Sequence, residues 1–177
     1  MESSKAAFLQ RKRVKKIIIC TFFCAFFIFG SFSFNDYGIS TDEWVQRQHG
    51  LVNLKYVCQL VNRDNIPDYL ADIPMNLDDY GTMTYYGIGI KIPLIIAEYL
   101  SDFKMSNQQI IHMNHLYTFL IFFVATLYVY RLLKLLGFDF WYTFAGVILF
   151  VLCPRTFADS FYNIKDSVFL SLFVIML

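Results

Sequence analysis

The sequence predicts an all-α polytopic membrane protein. Three observations carry that expectation. The chain is 57% hydrophobic and 19% aromatic, with 20 Phe and 12 Tyr in 177 residues, well outside the composition of soluble domains. Two apolar runs, Ile17–Phe34 and Leu116–Leu133, approach the length of a bilayer crossing. Basic residues gather beside the first run and at the end of the second, as the positive-inside bias requires. The formal net charge is only +1, which gives no bulk attraction to nucleic acid, so none is expected as a partner.

Residues 1–16 form a basic N-terminus. Lys5, Arg11, Lys12, Arg13, Lys15 and Lys16 are opposed by Glu2 alone. Such a cluster reads as a topogenic signal that keeps the N-terminus cytoplasmic, with lipid-headgroup binding as the lesser alternative. Residues 17–34 (IIICTFFCAFFIFGSFSF) carry no charge. At about 1.5 Å per residue they span roughly 27 Å, close to the hydrocarbon core. The run is too long for a signal-peptide core and no A-x-A site follows it, so it is read as a retained first span.

Residues 35–114 are predicted to be one large external loop. Ser40 followed by Glu43 is a capping-box pattern, which starts a helix at Thr41. Leu51, Leu54, Val57 and Val61 are read as its apolar face, against Asn53, Lys55, Gln59 and Asn62. That describes an amphipathic helix on the membrane surface. Asp64–Asp68 ends it, and Asp72–Asp79 is a polar connection. Tyr85–Leu100 is apolar but holds Lys91, Pro93 and Glu98. If it crossed, Arg131 and Lys134 would fall outside, so it is placed as a re-entrant or interfacial helix.

The second span covers residues 115–135 and ends at Arg131 and Lys134. The third covers 138–154 and returns outward to Pro154, and 155–166 is a second external loop. Residues 167–177 open a fourth span whose apolar run, VFLSLFVIML, measures about 15 Å, half a bilayer. The expectation is therefore the N-terminal part of a larger bundle. The aromatic content is read mostly as lipid-facing packing, with Trp44, Tyr85, Tyr86, Trp141 and Tyr142 as interface anchors.

Chemistry is suggested by Asp36, Asp42 and Glu43, three carboxylates within eight residues at the exit of the first span. One reading of Asp42 and Glu43 is local: a capping box and favourable charges on the helix dipole. The other is catalytic, because deprotonating an acceptor hydroxyl suits a carboxylate. Cations that would hold a departing phosphate are Lys91, Arg155 and Lys165; interfacial snorkelling is the alternative for the last two. His112 and His115 lie at i and i+3 without a third ligand at fixed spacing, which favours polar caps over a metal site. The four cysteines show no paired spacing and read as small hydrophobes.

The run Asp36-Tyr37-Gly38-Ile39-Ser40-Thr41-Asp42-Glu43, with Gln46 and Gly50, resembles the first-loop acidic motif of GT-C membrane glycosyltransferases. The nearest group is glycosyltransferase family 39, the protein mannosyltransferase and aminoarabinose transferase superfamily. Pro154-Arg155 through Asn163-Ile164-Lys165-Asp166 resembles the second signature of a bacterial branch, and His112, Asn114 and His115 fit it too. The chain departs from that branch at Ala158-Asp159, where a small residue and His are usual, and at Ile164, where Pro is usual.

The resemblance implies a GT-C-like helical bundle with juxtamembrane helices in the first external loop. It implies an inverting hexosyl transfer from a polyprenyl-phosphate-linked sugar to a hydroxyl acceptor on the external face of a bacterial plasma membrane. Asp42 would be the base, Glu43 would position acceptor or metal, Asp166 would complete the acidic site, and Lys165, Arg155 and Lys91 would contact substrate. A divalent metal is the one cofactor it raises. A transporter fragment and an inactive structural remnant are the competing classes; against the former, no ionisable residue sits centrally in the clear spans.

Overall fold

A computed structural model describes residues 2–61, 66–73, 76–77 and 87–177, and all regular structure among them is helical. Among the described residues eight α-helices follow in order: α1 (Glu2–Ser33), α2 (Thr41–Val61), α3 (Asp68–Ala71), α4 (Ile92–Leu100), α5 (Asn107–Leu135), α6 (Phe140–Leu152), α7 (Pro154–Tyr162) and α8 (Asp166–Met176). Two segments, Ala7–Ser33 and Asn107–Leu135, are long and apolar enough to cross a membrane, and α6 with α7 would pass the same test as one span bent by 58°. Length and composition thus mark a membrane protein. The polar connection Asp72–Asp79 and the first part of Tyr85–Leu100 lie largely outside the described residues.

The chain divides into two compact units, Met1–Tyr37 with His115–Leu177, and Gly38–Asn114. In the first unit the basic cluster is part of α1 itself, because Lys and Arg lose little rotamer freedom in a helix and propagate it as well as Leu does. The core here is aromatic: Phe26, Phe119, Phe122, Val147, Val151 and Phe161 are buried together. The expectation of mostly lipid-facing aromatics is corrected at these positions. Phe26 meets Phe119 edge-on at 5.5 Å, and Phe119 stacks on Phe161 at 5.2 Å with a 1° interplanar angle. Gly30 makes the approach of α1 possible, since a Cβ there would lie 1.9 Å from the Phe119 ring.

Helix α6 is capped by Asp139, whose carboxylate accepts from the Trp141 and Tyr142 N–H groups. Leu152 ends it, and Pro154 begins α7 at a position where its missing N–H costs nothing. The stretch 155–166, read as a loop, is therefore helical up to Tyr162. Phe157 and Phe161 pack inward, while Arg155 sits outward, 3.6 Å from Asp159 one turn on.

In the second unit α2 begins at Thr41, where the capping box placed it, and the Ser40 N–H donates to Glu43 Oε2 at 2.8 Å. The predicted apolar face is packed only in part: Leu51 and Leu54 lie in the core of this unit. Val57 and Val61 are exposed, whereas Glu43, Gly50, Leu51 and Lys55 are buried. The packed stripe runs Glu43, Arg47, Gly50, Leu51, Leu54, Lys55, Cys58, a proper i, i+4, i+7 series that carries three charges. Hydrophobicity alone cannot reveal such a stripe. Gly50 admits α4: an added Cβ would lie 2.8 Å from Ile95.

Helix α4 has nine residues, about 14 Å, too short to cross a bilayer unaided. Its end is drawn tight by Ser101 Oγ and the Phe103 N–H, both donating to the Glu98 carbonyl. Asp102 and Phe103 take positive φ of 53° and 54°, a conformation disfavoured for a phenylalanine. Phe103 is held there by stacking on Tyr69 at 4.4 Å. Ser106 and Gln109 then form a reciprocal capping box that opens α5.

Candidate functional site

The unusual chemistry lies in the second unit, where a helix that ought to bury apolar side chains buries ions instead. Glu43 and Glu98 are each 2% exposed and Lys91 is 5% exposed. Burying a charge is costly unless it is paired and hydrogen-bonded. Glu98 meets that condition: Arg47 grips it with Nε at 3.1 and 3.0 Å from its two oxygens and Nη2 at 2.7 Å. The same Nη2 donates to the Tyr69 hydroxyl at 2.9 Å. Burial works against the Arg47 charge, but the Glu98 hydrogen bonds outweigh it and its pKa rises.

Lys91, at the start of α4, is a different case. Its Nζ has no hydrogen-bond partner among the described residues. Burial pulls its pKa down from the ordinary lysine value to about 7, although Glu43 and Glu98 both pull it back up. Near neutral pH this amine therefore exchanges a proton within reach of the Glu43 field. Lys55, also buried, is satisfied by the Ile73 carbonyl at 2.7 Å.

Asp42 stands beside Glu43 in the first turn of α2 but is exposed. The two carboxylates are thus divided by environment: one fixed and enclosed, the other open to solvent. One turn along α2, a cleft of about 450 Å³ is lined by Trp44, Arg47, Gln48, Tyr69 and Asp72 among others. Arg47 consequently faces both the buried Glu98 and this cleft.

The remaining residues singled out in the sequence belong to the first unit. Asn163 Oδ1 accepts from the N–H groups of Lys165 and Asp166 at 3.3 and 2.9 Å, and its amide donates to Asp166 at 3.3 Å. Asn163 therefore ties the turn that leads into α8, and Asp166 is exposed at the first residue of that helix. Lys165 and Arg155 are exposed as well. His115 is fully buried and donates Nδ1–H to the Phe34 carbonyl at 3.0 Å, a structural tie between α5 and the end of α1. Tyr37 lies on Phe161 at 4.4 Å and near Tyr162 at 6.1 Å, so the first residues of one motif touch the second.

The structure thus brings Glu43 and Lys91 together, as it does Lys165 and Asp166, and it leaves Asp42 and Arg155 solvent-facing. Arg47 and Glu98 escaped sequence reasoning as site residues. The signal was available, because Arg47 follows Glu43 by one helical turn and Glu98 interrupts an otherwise apolar helix. Among the described residues no group of three or more His, Cys, Asp or Glu is placed to hold a metal ion. No family model, curated protein or solved structure matches the chain.

Proposed function

We propose that the chain belongs to a membrane-bound transferase of the GT-C type, which moves a sugar from a polyprenyl-phosphate donor to a hydroxyl acceptor. The observation that carries this reading is the division of Asp42 and Glu43 at the start of α2, shortly after the first membrane-length helix, with the amine of Lys91 buried beside Glu43. An exposed carboxylate is free to take the proton of an acceptor hydroxyl. The hydroxyl oxygen then bonds to the sugar's anomeric carbon as the bond to the phosphate oxygen breaks, and that oxygen leaves with the electron pair. Glu43, locked by the Ser40 N–H, positions the first turn, and Lys91 supplies its counter-charge. The substrate roles of Arg155 and Lys165, and that of Asp166 in the acidic site, rest on the sequence resemblance.

The test is transfer of a radiolabelled hexose from its polyprenyl phosphate in membranes bearing the protein. Asp42→Asn should abolish transfer at unchanged expression, and undiminished transfer would remove Asp42 as base. The transporter alternative finds less support, because the buried charges lie on α2 and α4 and not in the two membrane-length segments. A purely structural remnant predicts that Asp42, exposed as it is, tolerates any polar substitute.

A further inference from the structure

At the N-terminal part of α1 a groove of about 660 Å³ is lined by Arg11, Lys12, Lys15 and Lys16, by Lys134 from α5, and by Asp139 and Phe140 at the start of α6. Five cations face one acid, and that acid is engaged in capping α6 through the Trp141 and Tyr142 N–H groups. Two of the cations are held against the groove wall. Lys15 Nζ lies 5.4 Å from the Phe140 ring centre, and Lys134 Nζ donates to the Phe138 carbonyl at 3.0 Å. A second groove of about 580 Å³ shares Arg11 and Lys15 and adds the apolar wall of Val14, Ile18 and Trp141.

Depth along the helix identifies what fills such a groove. Ala7–Ser33 is 27 residues, roughly 40 Å, which exceeds a hydrocarbon core of about 30 Å and reaches into the headgroup layers. Lys12–Lys16 therefore fall at headgroup level, with exposed Ile17 and Trp141 beside them on the apolar side. The groove has a cationic floor and an apolar flank at the one depth where an anionic headgroup and its acyl chains part company.

We propose that these two adjoining grooves form a binding site for an anionic phospholipid, with the phosphate among Lys15, Lys16 and Lys134 in the first and an acyl chain along the Trp141 wall of the second. The inference is independent of the transferase reading. The test uses the intact chain purified in mild detergent, with native mass spectrometry counting retained phosphatidylglycerol against phosphatidylcholine. The wild type should retain phosphatidylglycerol about tenfold better, and Lys15→Gln with Lys16→Gln and Lys134→Gln should erase that preference. The corresponding triple arginine variant should keep it, and Lys104→Gln, an exposed lysine elsewhere, should leave it unchanged. Equal retention of the two lipids, or an unaltered preference in the triple glutamine variant, would overturn the site. Displacement by soluble glycerol phosphate at equal concentration would assign the groove to free phosphate and overturn the lipid as its occupant.

Discussion

Tyr37 lies nearly parallel to Phe161, ring centres 4.4 Å apart and planes 14° from each other, and Phe161 in turn stacks on Phe119 at 5.2 Å. Three rings, one from the stretch after α1, one from α7 and one from α5, thus form one column. Tyr37→Ala with Phe161→Ala should show a coupling of about 1 kcal/mol in a double-mutant cycle of unfolding in detergent. Strict additivity would mean that the column contributes only its separate contacts.

Lys91 makes stability depend on pH in a known direction. Its folded pKa, about 7, lies below the unfolded value of 10.5, so the unfolded chain binds the extra proton throughout that window. Stability should therefore rise as pH goes from 7 towards 10.5, by at most about 1.4 kcal/mol per unit. Glu43 and Glu98 face the amine and Arg47 clamps Glu98, so the comparison that isolates the lysine is Lys91→Met. Its unfolding midpoint should lack that slope; an identical slope in both proteins would refute the assignment.

Arg47→Met should cost about 3–5 kcal/mol, because Glu98 would stay buried without its partner. Arg47→Lys should recover little of this, since an ammonium cannot reproduce the two-pronged grip. Replacing Arg47 and Glu98 together by methionine should cost much less than Arg47→Met alone, a pattern readable in the same unfolding assay.

Gly30→Ala should destabilise by about 1–3 kcal/mol, because the new methyl collides with a fully buried Phe119. Gly38→Ala, with open space around it, should stay within about 0.5 kcal/mol of the wild type. Equal effects at the two glycines would show that α1 and α5 do not meet as described.

The topology count is tested by single cysteines, Asp42→Cys and Asp166→Cys, in a protein cleared of its four native cysteines. Both should react with an impermeant reagent from the external side. Labelling from opposite sides would make Tyr85–Leu100 a true crossing and remove the external acidic site.

Much of the helical layout was legible because long apolar runs and caps are local signals. Ser40 and Glu43 marked the start of α2 to the residue. The packed face of α2 was legible only at Leu51 and Leu54, since Glu43, Arg47 and Lys55 occupy positions where periodicity looks for Leu or Val. What buries them is α4 and the chain around Ile73, partners far away in sequence. Helix α7 was hidden for a similar reason: its nine residues mix the inward Phe157 and Phe161 with Arg155 and Asp159, so no apolar run announces it. In the site, Asp42, Glu43 and Lys91 were visible as residue types, but only tertiary contact separates the open carboxylate from the enclosed one.

Gly30 also has a mechanical consequence. One turn back along α1 stands Phe26, so a slide of α1 along α5 by a single turn of about 5.4 Å would carry its benzyl group to the place where Gly30 now meets the Phe119 ring. The notch thus acts as a key that fits at one setting.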